Sequence, residues 1–256
     1  MTMEEKLAKA KSHAWFYEFA LPDGTRTTPD IPEAVRQIHT SRLAKLRNVI
    51  AQNIPDSSQL AAVDFSSHEG FFSLELSKHF QTVKGLDYNT KSIDAATLMR
   101  DLHGADNVSF EACDLTRQPY ADRLAADFVL VFGLLYHLEN PIHVIRLATQ
   151  LAREHLLIET QVFPYDVSGR LEDGHYQWQR NVEGVFSLSV DYADRREGGS
   201  TDIALVPSLN ALTFLLKTFG FAHVEVLPPL ADDYEQFTRG SRVVIYARRT
   251  LAAPQA

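Results

Sequence analysis

Cysteine is almost missing from this 256-residue chain, where Cys113 stands alone. One thiol cannot close an internal disulfide, nor can it build a cysteine zinc site. Long hydrophobic runs are missing too. None approaches the roughly 18 residues that cross a bilayer, which excludes a membrane-spanning helix. The opening MTMEEKLAKAKSH is charged and lacks the apolar stretch of a secretory leader. A basic excess is likewise absent. The 25 Lys and Arg face 33 Asp and Glu, for a formal net charge of −8. Phosphate backbones need a basic face, so the balance argues against a large nucleic-acid footprint. No repeat, low-complexity tract or long linker is present. The class expected from these absences is a soluble, cytoplasmic, globular protein of open oligomeric state.

What is present is an ordinary globular mix, 45% hydrophobic and 23% charged. The length suits one large domain with insertions. Residues 3–12 read as a short helix. WFYEFALPDGTRTTPD gathers four aromatics before a Pro-Asp-Gly turn signal. Val35, Ile38, Leu43, Leu46 and Ile50 behind Pro32 predict a helix over 32–52. From residue 60 short apolar segments alternate with helical ones. Strands are expected at 60–65, 82–87, 108–113, 126–132 and 155–159, with helices at 71–80, 92–103 and 141–152. That rhythm predicts an α/β fold, a mostly parallel sheet with helices on both faces. Residues 160–206 break it. A helix over 210–219 and two late strands, 222–227 and 241–248, then close the sheet, the last pair suited to antiparallel pairing.

Ligands of open parallel sheets bind beyond the carboxyl ends of the strands. Asp64, Asp87 and Asp114 sit at or just after the first three strand ends. Asp64 and Asp87 are twenty-three positions apart, one strand–helix–strand unit. At that spacing an acidic side chain meets a ribose in nucleotide sites. The Asp87 carboxylate suits ribose hydroxyls, and Asp114 suits an adenine amino group. Gly70 lets a backbone approach a ligand closely. The loop Asp64–Gly70 is no G-x-G-x-x-G turn: Ser66 stands where a first glycine is expected, and Glu69 adds a negative charge. Asp64 and Glu69 together would repel a pyrophosphate. They would welcome an adenosine that carries cationic groups, which points to S-adenosylmethionine.

These segments resemble a known family. DFSSHEGFFSLEL, VKGLDYNTKSIDAA, NVSFEACDL, ADFVLVFGLLYHLENP and LLIET are similar to the class I S-adenosylmethionine-dependent methyltransferases over residues 60–160. The later GF-x-x-V signal extends the likeness to 248. GLLYHLENP and ALPDGTRTTPD resemble a branch related to tRNA-uridine carboxymethylating enzymes and uncharacterised small-molecule methyltransferases. The resemblance implies a Rossmann-like methyltransferase fold with S-adenosylmethionine and no metal. It implies that Asp64, Ser66 and Gly70 line the methionine half. Asp87 would take the ribose, Tyr88 would lie beside the adenine, and Asp114 and Leu115 would hold its edge. Phe132 and Gly133 would offer backbone near the ammonium. Tyr136, His137 and Asn140 would face the reacting centre. Residues 1–55 would form a helical, aromatic cap, and 56–256 the cofactor-binding domain, with a substrate-side insertion at 160–206 after the fifth strand.

Each candidate has a plainer reading beside it. His137 has a side chain that titrates near neutrality and suits a general base, or else it holds a helix start. Tyr136 could steady a sulfonium over its ring, or pack in the core. His68 and Glu69 suit acid–base work or cofactor positioning. His175 and Tyr176 sit in the insertion, where loops often carry substrate sites; Trp178 and Phe186 could simply stabilise it. Trp15, Phe16 and Tyr17 read as a water-excluding lid or as a staple. Cys113 reads as buried. His68, His137, His155 and His175 lack metal-ligand spacing. Four reactions stay open. The first is methyl transfer to a small molecule. The second is cyclisation of S-adenosylmethionine to azetidine-2-carboxylate with loss of methylthioadenosine, as in methyltransferase-fold azetidine-2-carboxylate synthases. The third is tRNA modification, and the fourth is cofactor binding without catalysis.

Overall fold

The computed structural model describes residues 1–117, 124–175, 178–191 and 201–249. Two helices come first, α1 (Met3–Ser12) and α2 (Glu33–Asn53). The alternating unit then runs β1 (Ala61–Phe65), α3 (Phe71–Leu76), β2 (Thr82–Asp87), α4 (Thr90–His103), β3 (Val108–Ala112), β4 (Ala126–Phe132), α5 (Pro141–Leu151) and β5 (Ala152–Gln161). Two hairpins follow, β6 (Ser168–Asp173) with β7 (Trp178–Glu183), and β8 (Phe186–Val190) with β9 (Ile203–Pro207). The chain closes with α6 (Leu209–Thr218), β10 (His223–Val226), α7 (Glu235–Thr238) and β11 (Arg242–Arg248).

Seven strands form one sheet in the order β10-β11-β5-β4-β1-β2-β3. The five strands β1 to β5 are mutually parallel, and β11 runs antiparallel to both β5 and β10. The order reverses between β1 and β4, which opens a crevice at their carboxyl ends. Strand β4 shows why the sheet lies between two layers. Phe128, Leu130 and Phe132 pack into one hydrophobic cluster with α1, α2 and α4, while Val129 and Val131 pack into another with α5 and α6. Both faces of the pleat are covered, so its sequence is apolar from Phe128 to Phe132.

The structure adjusts several sequence expectations. Helix α3 stops at Leu76, four residues early, because the chain tightens there: His79 and Lys78 donate to Leu76 and Glu75 carbonyls. Strand β5 is twice as long as expected because β11 pairs along it from Arg242 to Arg248. Residues 168–207 are two antiparallel hairpins, whose tips at 176–177 and 192–200 lie outside the described residues. Among the described residues no helix is long and apolar enough to cross a membrane.

The aromatic segment after α1 divides by function. Trp15 is 1% exposed, and its indole nitrogen donates to the Ala10 carbonyl at 2.6 Å. Its own carbonyl accepts from Asp30 N, and its ring meets Phe19 edge-on. A tryptophan held on every side anchors the segment and does not move as a lid. Trp15→Ala should cost about 3–5 kcal/mol of stability, the range for emptying a large buried aromatic site. Urea unfolding followed by circular dichroism would measure it; a cost under 1 kcal/mol would contradict this packing.

Candidate functional site

At the crevice the strand ends surround a cavity of about 1050 Å³ that includes its open mouth. Ser66 and His68 reach it from the β1 loop, Asp87 and Tyr88 from β2, Cys113, Asp114 and Leu115 from β3. Phe132, Gly133, Tyr136 and His137 reach it from β4 and the short 3-10 turn behind it. Phe16, Tyr17 and Arg42 come from the first 55 residues.

The β1 loop takes an unusual path for its residues. Ser66 (φ 59) and His68 (φ 48) adopt left-handed backbone, which glycine takes without strain and other residues rarely do. Hydrogen bonds hold them there. Ser67 N donates to Leu86 O, Gly70 N donates to Ser67 O, and His68 N donates to Asp87 Oδ2 at 2.9 Å. The same Asp87 accepts from Asn89 N at 2.9 Å through its other oxygen. Burial raises the Asp87 pKa, against the hydrogen bonds that favour its charged form. Asp114 accepts from the Thr116 amide and hydroxyl and pairs with Arg117.

Besides Trp15, five expected site residues lie off the cavity wall. Asp64 is buried and accepts from Ser73 Oγ at 2.6 Å; burial, then the neighbouring Asp87, lift its carboxyl to about 7. Glu69 is buried with its carboxylate on the Phe16 and Tyr17 amides and near His13. Gly70 serves packing: a Cβ would lie 2.7 Å from Phe110 and 2.9 Å from Ala96. Asn140 caps α5, accepting from His143 N. His175 is exposed at the end of β6, away from the cavity wall, and Tyr176 lies outside the described residues. The acidic wall is therefore Asp87 and Asp114. Asp64 and Glu69 are too occupied to add to it.

The sequence reading missed a charged cluster beyond β4 and β5. Glu159, at the end of β5, is fully buried and pairs with Arg42 of α2 at 2.6 Å and Arg242 of β11 at 2.5 Å. Burial pushes the Glu159 carboxyl up, but Arg242 and Arg42 outweigh it and hold the pKa below the ordinary value. Both guanidiniums reach the Tyr136 hydroxyl, Arg42 at 3.4 Å and Arg242 at 3.3 Å, and Arg242 lies 4.9 Å over its ring. One face of Tyr136 is thus taken by a guanidinium. Gly133 keeps this corner open, because a Cβ there would sit 2.9 Å from Arg42. The one available signal was a charge ending the apolar run LLIE, which demands a buried partner. Beside Tyr136, His137 Nδ1 lies 2.8 Å from Asp191 Oδ2, just past β8. Among the described residues no group of three His, Cys, Asp or Glu side chains could hold a metal.

Two outcomes follow from the buried charges. The folded chain holds the Asp64 proton up to about pH 7, whereas the unfolded chain releases it near pH 4. Between those values the native state binds more protons, so this group's contribution to stability falls as pH rises. Asp64→Asn should gain on the wild type by a few kcal/mol between about pH 4 and pH 8. Unfolding curves of the two proteins that run parallel across that range would contradict it. Glu159→Gln leaves two buried guanidiniums without their counter-charge and should cost about 3–5 kcal/mol. Replacing Arg42, Glu159 and Arg242 together by Met, Leu and Met should restore most of that in denaturant titrations.

The profile of a methyltransferase-domain family matches residues 56–193, more than half of the chain. No curated protein matches the sequence. Among solved structures, the N-terminal domain of EvdMO1 with SAH bound is similar at TM-score 0.74 and 18% identity, with 98% of each chain covered. Magnesium protoporphyrin IX methyltransferase (ChlM) from Synechocystis PCC 6803 with bound SAH is similar at TM-score 0.57 and 15% identity, over 87% of this chain and 90% of that one. A methyltransferase from Mesorhizobium loti reaches TM-score 0.54 at 20% identity, over 82% and 98%. Such low identities speak for a shared fold, and the family profile speaks for the chemistry. The chain belongs to the methyltransferase-domain family and is a class I S-adenosylmethionine-dependent methyltransferase.

Proposed function

We propose that the protein transfers the methyl group of S-adenosylmethionine to a small-molecule acceptor beside Tyr136 and His137. The observation that carries the reading is a single cavity with two unlike sides. Asp87 and Asp114 lie on the β2 and β3 side of β1, and Arg42, Tyr136 and His137 lie on the β4 side. The first side fits a nucleoside. Asp87 accepts the His68 and Asn89 amides and the Ser66 hydroxyl, which leaves its carboxylate with capacity for a ribose hydroxyl. Asp114 can accept from an exocyclic amine, with Leu115 and Cys113 as apolar neighbours. Among the described residues no lysine lies on the cavity wall to attract a pyrophosphate.

When bound, S-adenosylmethionine supplies an electrophilic methyl carbon on a sulfonium. The chain's own residues position and shield. Tyr136 accepts from two guanidiniums and retains its own proton to orient an acceptor atom. His137 takes the proton that the acceptor gives up. Phe16 and Tyr17 form the part of the N-terminal segment that reaches the cavity and excludes water. Burial raises the Tyr17 pKa, so its phenol stays neutral there. Orientation of two reactants accounts for most of the rate that such a site can supply.

A small acceptor is favoured on several counts. Among the described residues the cavity wall carries one arginine, Arg42, and it is committed to Glu159, so they offer no basic track for tRNA. The EvdMO1 domain was crystallised with D-fucose as well as SAH, and ChlM is named for a porphyrin. Methyl transfer is favoured over cyclisation because Glu69, part of the unusual loop, is bound to backbone amides and offers no acid–base group. The deciding experiment is incubation with S-adenosylmethionine, first alone and then with a panel of sugars and carboxylic acids. The expected product is S-adenosylhomocysteine, formed only when an acceptor is present. Methylthioadenosine in the acceptor-free sample would make the enzyme a cyclase.

A further inference from the structure

We infer that Asp191, supplied by the insertion, is a positioning residue that fixes the ring tautomer of His137 for proton abstraction. The proposal rests on the reading of His137 as the proton acceptor. Asp191 Oδ2 lies 2.8 Å from His137 Nδ1, a distance at which a carboxylate, which only accepts, requires the proton to be on Nδ1. The other ring nitrogen, Nε2, has no hydrogen-bond partner among the described residues, and His137 is part of the cavity wall. With Nδ1 protonated, Nε2 carries the lone pair. An acceptor's X–H bond then breaks toward Nε2 while its electron pair becomes the nucleophile. The ring becomes an imidazolium, and the Asp191 carboxylate balances the new charge without taking the proton.

The contact is not required to dock the hairpin. Leu205 N in β9 already donates to Leu138 O at 2.9 Å, which stitches the hairpin to the turn that carries Tyr136 and His137. Ala204 is buried beneath it, and Asp191 N donates to Asp202 O, which holds the aspartate's own backbone. Both side chains remain partly accessible, 20% for His137 and 18% for Asp191. A pair needed only for packing would be sealed from solvent. This one sits at a wall where its free nitrogen can meet a ligand.

Nitrogen-resolved NMR of the histidine rings in the whole chain tests this without any acceptor. Spectra are taken at alkaline pH, where the ring is neutral, and His137 is assigned by its loss in His137→Gln. The expected result is an Nδ1–H ring in the wild type that shifts toward the Nε2–H form in Asp191→Ala. Calorimetric affinity for S-adenosylhomocysteine should change by less than about twofold. Once an acceptor is known, kcat should fall roughly 10²-fold with KM little changed, the scale of a disabled general base. An Nε2–H ring in the wild type, or a tautomer unmoved by Asp191→Ala, overturns the proposal. So does loss of S-adenosylhomocysteine binding in that variant, which would make the aspartate a support of the fold. Methylthioadenosine formed without acceptor would sink the methyl-transfer reading and leave the tautomer result standing.

Discussion

The buried Arg42–Glu159–Arg242 cluster is the constraint on which the reacting side of the molecule depends. It joins three parts of the chain far apart in sequence: a helix near the start, the fifth strand and the last strand. Removing two guanidiniums and a carboxylate from water is expensive, and only good mutual geometry offsets it. That cost makes the arrangement specific. If α2 slid along the sheet, Arg42 would lose Glu159, and a buried charge would be left alone. The N-terminal segment is thereby locked to the carboxyl end of β5, and with it Phe16 and Tyr17 at the cavity. The cluster also grips the Tyr136 hydroxyl twice, so the turn after β4 inherits the same rigidity.

The β1 loop solves a related problem by different means. Two non-glycine residues sit in left-handed backbone there, at a strain on the order of 1–2 kcal/mol each. Asp87 helps hold them, since its carboxylate accepts the His68 amide. The group proposed to take the ribose is therefore also a tie for the loop above it. Gly70 keeps a left-handed conformation too, but its missing side chain makes room for Phe110 and Ala96. The glycine of the motif has become a packing residue, while a serine and a histidine carry the turn.

Much of the nucleotide side was legible in the sequence, because it is written locally. Apolar runs of strand length, followed by an acidic residue, put Asp87 and Asp114 at strand ends, and parallel topology brings strand ends together. What was not legible is long-range pairing. Arg242 and Glu159 are 83 positions apart, and His137 and Asp191 are 54, with no periodicity to connect them. Asp64 and Glu69 misled for a related reason. Residue type predicts charge but not what the charge is bonded to, and Ser73 and two backbone amides reached them before the cavity did. Trp15, Phe16 and Tyr17 formed one motif in sequence, yet Trp15 is buried with its indole on the Ala10 carbonyl and its ring against Phe19, so only Phe16 and Tyr17 meet the cavity.

The insertion shows where this fold leaves freedom. The hairpin β8–β9 buries Ala204 and Pro207 but leaves Leu188 72% and Val190 67% exposed, so one face of it is open. Among the described residues it is attached by Leu205 N on Leu138 O, Phe163 N on Pro207 O, the buried Ala204 and the Asp191–His137 contact. The buried sheet and the charged cluster hold the strand ends and the Tyr136 turn in place. The insertion touches the reacting side through a few contacts. On the proposed reading a change of insertion alone changes the acceptor, because among the described residues no hydrogen bond joins the insertion to Asp87 or Asp114. Asp191 is where that independence ends. It is an insertion residue that reaches a ring on the turn after β4, which ties the insertion to the group proposed to take the proton.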